Sequence, residues 1–193
     1  MEKKVLIING HPNKDSLGNE IAQKYKNGAE KSGIEVSLIN IIDLDFNPIL
    51  KYGYKKDMEF EPDLEKVQKL IKESNHLVLI YPNWWGTYPA LLKGFIERVF
   101  LPDFAFSYQK DSPMPIQLLK EKSARIFVTM DTPKWYYNLI YRKPGHNSMK
   151  KSILNFCGIK PVKITTFTPV RKSTDETRKK WLEKVFKLGK MMK

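Results

Sequence analysis

Cysteine is almost missing from this chain. Cys157 stands alone, which excludes an intramolecular disulfide and suits a reducing cytoplasm. Histidine is nearly as scarce. His11, His76 and His146 lie far apart in sequence, and with one cysteine they offer no zinc-ligand spacing, so no metal is expected. Long apolar runs are missing too. No stretch has the length of a membrane span, so no integral membrane segment is expected. The charged start and brief apolar run of MEKKVLIING are too short for a signal segment and read as a first strand. There is no G-x-G-x-x-G and no Walker A lysine motif, so neither a Rossmann nor a P-loop nucleotide site is supported. No repeat, low-complexity tract or linker breaks the chain, and its 193 residues are expected to form one domain, residues 1–193.

Acid is in short supply. Asp and Glu number 21 against 34 Lys and Arg, a formal net charge of +13. An excess of this size raises the question of nucleic acid. The lysines, however, are spread along the whole chain, and neither zinc-finger spacing nor an RNA-binding aromatic signature accompanies them. A solvated basic surface is the favoured reading, and no nucleic-acid partner is expected. Such a field would also draw in anionic ligands.

What is present is an alternation of apolar runs and helical patterns. KVLIING (Lys4–Gly10), EVSLINI (Glu35–Ile41), HLVLIY (His76–Tyr81), ARIFVTM (Ala124–Met130) and KPVKITTF (Lys160–Phe167) read as strands. Between the first two, Leu17, Ile21 and Tyr25 recur at four-residue intervals, which predicts an amphipathic helix over Ser16–Ser32 with Gly33 as its stop. A loop holding Asn47-Pro48 and Gly53 follows the second strand. Pro62 opens a helix whose buried face is Leu64, Val67, Leu70 and Ile71, and Pro89 opens another with Leu92, Phe95, Ile96 and Val99. A helix is expected over His146–Phe156. The last helix begins at a capping box, Ser173-Thr174-Asp175-Glu176, and should bury Trp181, Val185 and Leu188. Strands alternating with helices imply parallel pairing with right-handed crossovers, and strands apolar on both faces imply helices on both sides of the sheet. The fold class is therefore α/β, a flavodoxin-like three-layer sandwich with a five-stranded parallel sheet in the order 2-1-3-4-5.

Open parallel sheets bind ligands past the carboxyl ends of their strands, near the switch point. Three loops matter there. After the first strand, NGHPNKDSLGNEIA crowds His11, Ser16 and Asn19 into the turn before a helix, whose free N–H groups suit an anion. Ser16 could cap the helix or bond a phosphate oxygen. After the third strand, Pro82, Asn83, Trp84, Trp85 and Gly86 place two indoles and a glycine at the ligand rim. Flat apolar groups there suit a flat aromatic ligand, and Gly86 lets backbone approach a ring, although indoles at a strand end can also be core. After the fourth strand, Thr129, Asp131 and Thr132 supply a polar edge, and Trp135, Tyr136 and Tyr137 add flat surface. A phosphate-type loop, an aromatic wall and a polar edge together fit a flavin.

At these residues the sequence resembles the flavodoxin-like NAD(P)H:quinone oxidoreductases, a family that also holds modulators of drug activity, general stress flavoproteins and ancillary subunits of potassium-efflux systems. PNWWGTYPALLKGFIERVF (Pro82–Phe100) is similar to its W-[WF]-G-x-P-A-x-L-K-G-[FW]-x-[DE]-R-V-F segment. GHPNKDSLGN resembles its G-H-P-x-x-x-S-x-N loop, with Gly18 where the family often has asparagine and Asn19 one position later. DFAFSY (Asp103–Tyr108) and FCGIKPVKITTF (Phe156–Phe167) resemble further segments.

The resemblance implies a homodimer holding FMN or FAD tightly, with NAD(P)H as co-substrate and a quinone or similar small aromatic acceptor. It implies His11, Ser16, Leu17, Gly18 and Asn19 around the phosphate. It puts the backbone of Asn83, Trp84, Trp85 and Gly86, with Pro82, at the isoalloxazine ring, and Thr129, Asp131 and Thr132 at its pyrimidine end. Phe106 and Tyr108 match positions that wall the partner's site across the dimer. Tyr137 and His146 match a tyrosine and a histidine beside the acceptor, where either could donate a proton to the forming hydroquinone. The implied activity is hydride transfer from NAD(P)H to flavin and on to the acceptor. The other reading on the same fold is a flavin-binding regulatory subunit of a potassium-efflux system or a non-enzymatic electron carrier. A carrier would be shorter and acidic, and this chain is basic.

Overall fold

The structure is a computed structural model that describes residues 3–56 and 58–192. Its main sheet is built from β1 (Lys4–Asn9), β2 (Glu35–Asn40), β3 (His76–Pro82), β6 (Ser123–Thr129) and β7 (Val162–Phe167). All pairings are parallel, in the order β2-β1-β3-β6-β7. In chain order this is 2-1-3-4-5, as the alternation of elements predicts. The strand ends of β1, β3 and β6 therefore meet at one edge, on either side of the switch point.

Two cores sandwich the sheet. On one face, Val5, Ile7, Val78, Ile80 and Phe127 pack against Ile21, Ala22, Tyr25 and Ala29 of α1 (Leu17–Glu30) and against Val185 of α6 (Asp175–Lys190). On the other, Leu6, Ile8, Leu77, Leu79, Ile126 and Val128 meet α2 (Pro62–Glu73) and α3 (Ala90–Val99) through Leu64, Val67, Ile71, Leu92, Phe95, Ile96 and Val99. Alternate strand residues thus feed opposite cores, which is why these strands read as continuous apolar runs. Under the second core Arg98 is wholly buried. Its guanidinium donates to Asn47 O and Glu59 O, both at 2.7 Å, and to both oxygens of Glu61 at 3.2 and 2.6 Å, pinning the loop before α2.

Several details differ from the sequence expectations. The segment after α3 forms an antiparallel hairpin, β4 (Phe106–Gln109) and β5 (Ser112–Gln117). Pro113 and Pro115 hide β5 from a propensity reading, and a two-stranded ribbon outside the main sheet tolerates them. The segment after β6 holds a short helix, α4 (Lys134–Leu139). The helix expected over His146–Phe156 is instead α5 (Pro144–Asn147) followed by a π-helical segment, Ser148–Leu154, whose capping residue Asn155 donates from N to Lys150 O five residues back. The cap of α6 moves by one residue. Thr174 Oγ1 accepts from Thr177 N, while Ser173 Oγ donates to Val170 O, so the Ser-x-x-Glu box is not formed. Val185 is buried as expected, and Trp181 and Leu188 are half-buried. Among the described residues, no helix is long and apolar enough to cross a membrane.

Candidate functional site

The first loop is held by side chains that stand in for missing backbone partners. Buried Asn9, at the end of β1, donates from Nδ2 to Asn40 Oδ1 at 3.1 Å and accepts at Oδ1 from His11 N at 3.2 Å. Asn13 N donates to His11 Nδ1 at 3.0 Å, and Asp15 N to Asn13 Oδ1 at 2.8 Å. With Nδ1 accepting, the neutral His11 ring carries its proton on Nε2, and burial keeps its pKa below the ordinary value. Ser16 caps α1, with Oγ accepting from Asn19 N at 3.3 Å. The N–H groups of Leu17 and Gly18 have no protein acceptor, and the Ser16 hydroxyl proton stays free, so the capped helix still presents donors to an anion. Gly18 is buried, and a Cβ there would meet His11 Cβ and Ser16 Oγ at an ordinary contact distance of 3.4 Å.

The second loop answers why tryptophan and glycine stand together. Pro82 ends β3, and Asn83 N donates to Thr129 O at 2.7 Å, tying the loop to β6. Trp84 and Thr87 then exchange N–H···O bonds of 2.9 and 3.0 Å, and the two residues between them have φ of +51° (Trp85) and +81° (Gly86). Positive φ at both central positions defines a type I′ turn. Glycine takes that geometry freely, whereas for tryptophan it is an outlier. The turn throws the Trp85 indole wholly into solvent, and the N–H groups of Trp85 and Gly86 have no protein acceptor. Trp84 leans back and meets the His11 ring edge to face at 5.7 Å, which joins the first loop to the second.

Tyr137 of α4 braces this turn from behind. Its buried hydroxyl donates to Gly86 O at 3.1 Å and accepts from Gly145 N at 3.1 Å, and the same Gly145 N–H also reaches Gly86 O. A Cβ on Gly145 would lie 2.9 Å from Thr87 Cα, so only glycine lets α5 pack this close. Burial raises the Tyr137 pKa and keeps the hydroxyl protonated.

Asn83, Trp85 and Gly86 line a cleft of about 460 Å³ with Thr132, Tyr141 and Pro144. Buried Asn83 Oδ1 has no partner in the protein. An orphaned acceptor, two free N–H groups and an exposed indole fit a flat ring with a hydrogen-bonding edge. Tyr141 and Pro144 were not anticipated; the third tyrosine of WYYNLIY was their only visible signal.

Other expected residues fall elsewhere. Thr129 is buried at the end of β6. The Asp131 carboxylate turns to the segment after β7, where Oδ1 accepts from Arg171 N at 2.6 Å, so it serves as a tie between loops. Phe106 is buried in its own chain's core against Phe156 at 5.1 Å, and only Tyr108, 69% exposed, presents its ring outward. Tyr137 has its proton committed to Gly86. His146 is buried 4.9 Å from the Tyr137 ring and directs Nε2 to Thr166 Oγ1 at 3.4 Å, lining a different cleft beside β7.

A family model described as flavodoxin-like fold matches residues 3–191. The chain belongs to this flavodoxin-like family. Smu.1420 of Streptococcus mutans, a solved structure, shares 35% identity with this flavodoxin-like chain at a TM-score of 0.84, over 97% of this chain and 99% of that one. An uncharacterized NAD(P)H oxidoreductase of Haemophilus influenzae is 28% identical, over 92% of this chain and 90% of its own length. The rat ribosyldihydronicotinamide dehydrogenase [quinone] is 25% identical, over 97% and 93%.

Proposed function

We propose that this flavodoxin-like protein is a flavin-dependent NAD(P)H oxidoreductase that holds FMN or FAD and reduces a quinone or similar flat acceptor. The observation that carries this reading is the type I′ turn at Trp84–Thr87, which offers two free N–H groups and an exposed indole beside the orphaned Asn83 Oδ1. A flavin bound there would supply the hydride chemistry between NAD(P)H and the acceptor. The N–H groups of Trp85 and Gly86 would bond the heteroatoms of the ring. Ser16, with the N–H groups of Leu17 and Gly18 and the Nε2–H of His11, would hold the phosphate. Tyr137 sets the turn's position through Gly86 O and keeps its proton. The relatives named for NAD(P)H oxidation and quinone reduction support the same reading.

We further propose a homodimer in which the hairpin meets the second subunit. Tyr108, Met114, Ile116 and Leu118 expose apolar side chains on the hairpin and just after it.

The purified protein should be yellow, and its released chromophore should run with FMN or FAD on chromatography. It should oxidise NADH or NADPH with a quinone present. A colourless protein that takes up neither flavin would refute the proposal.

A further inference from the structure

A second cleft, of about 730 Å³, runs along β7, one of the two edge strands of the sheet. It shares no lining residue with the cleft at the turn. Seven basic side chains line it, among them Arg125, Lys150, Lys163 and Lys184, and no acidic residue does.

Lysines on an edge strand have a bland use, since they keep other strands from pairing with it. That use does not explain Arg125. This arginine is only 6% exposed. Arg125 Nη1 donates to Thr165 Oγ1 at 2.8 Å, its guanidinium lies 5.8 Å from the centre of the Phe127 ring, and its Nε has no partner. Among the described residues no carboxylate pairs with it. Arg98, the other deeply buried arginine, shows the usual arrangement, closed on Glu61. A buried guanidinium without an anion carries an uncompensated desolvation cost, and burial holds the Arg125 pKa below its ordinary value.

The register places the rest. Arg125 pairs with Lys163 and Phe127 with Thr165, so Arg125, Lys163 and Thr165 share the sheet face on which α6 brings Lys184. The Thr165 hydroxyl accepts from Arg125 and keeps its own proton for a ligand. No Phe, Tyr or Trp lines the cleft, and the buried His146 ring, its one aromatic lining group among the described residues, is packed against Tyr137, so no open ring face is offered to a nucleobase.

We infer that this cleft is a second ligand site, for a compact polyanion of the pyrophosphate class, with Arg125 and Thr165 as its floor and Lys163 and Lys184 closing over it. The site stands independently of the flavin reading.

The test is calorimetric titration of inorganic pyrophosphate into the flavin-loaded protein, with ionic strength held constant by potassium chloride. Saturable binding of one equivalent per chain is expected. Arg125→Met should weaken it about tenfold or more, the scale of a lost charge-assisted hydrogen bond. Lys163→Gln, a partly solvated substitution, gives the same test if the arginine variant fails to fold. No binding, or binding that both variants leave unchanged, overturns the proposal. Binding seen only after flavin is stripped would place the anion at the Ser16 loop and overturn it as well. So would binding of a glutamate-rich peptide in place of pyrophosphate, because the edge would then take an extended chain.

Discussion

Replacing Trp85 by glycine removes the largest side chain at the candidate site, yet it should leave the fold slightly more stable than before. The indole is wholly exposed, so no burial is lost. Its φ of +51° carries the left-handed penalty of an L-residue, about 1–2 kcal/mol, which glycine relieves. Against this, glycine adds unfolded-state entropy of roughly 0.5–1 kcal/mol. The net is a gain of about 0.5 kcal/mol, a melting shift of about 1–2 °C upward for a chain of this size. Trp85→Ala is the matched control, because it deletes the same indole while keeping the strained backbone. It should be less stable than Trp85→Gly by the same margin, about 0.5 kcal/mol, in urea or thermal unfolding. Ligand binding should run the other way. Both variants lose the flat wall, and flavin or acceptor affinity should fall roughly two- to tenfold, the range of an aromatic contact. Equal stabilities for the alanine and glycine variants would refute the strained turn. A loss of several kcal/mol in both would show that the indole is buried in solution.

Tyr137→Phe removes the hydroxyl that braces Gly86 O, but Gly145 N still reaches that carbonyl, so about 1 kcal/mol should be lost in thermal unfolding, with weaker flavin retention. Arg98→Met should cost about 3–5 kcal/mol, because it strands Glu61 and two carbonyls beneath the second core; a urea midpoint near wild type would contradict the buried pair. Burial, with Arg125 and Lys163 nearby, lowers the His76 pKa to about 4, and burial with Lys143 and Lys134 does the same to His146. Each is neutral when folded and near 6.5 when unfolded, so stability is complete above pH 6.5 and falls as pH drops toward 4, by up to about 3 kcal/mol per histidine. His146→Gln should remove about half of that slope in urea melts run in non-phosphate buffer.

The sheet was legible because its chemistry is local. Parallel strands buried on both faces read as near-continuous apolar runs, as Val5–Ile8 and Leu77–Tyr81 do, and β6 follows them except at Arg125. The Ser16 cap and the Gly33 stop, at φ +70°, bracket α1 for equally local reasons. The candidate site was legible in residue type but not in geometry. Trp84, Trp85 and Gly86 could be placed at the rim, yet no propensity puts a tryptophan at positive φ, because that angle is imposed by the reciprocal Trp84–Thr87 bonds and the brace from Tyr137. The direction His146 faces was hidden for a similar reason. The turn into α5 and the π-helical segment decide it, and Lys143 there has φ of +55°.

The basic cleft was the least legible feature. Its residues come from β6, β7, α4, α5, the π-helical segment and α6, so in sequence they are scattered lysines and read as a solvated surface. For most of them that reading still stands, since a lysine in water needs no partner. Arg125 is different, because folding removes it from water and supplies no carboxylate. Its register opposite Lys163 and its bond to Thr165 hold the uncompensated charge at the floor of the cleft, so an anion arriving there would meet a guanidinium already desolvated and oriented. Scattered lysines alone would attract many anions weakly, and the buried arginine is what would make the cleft selective for one that fits.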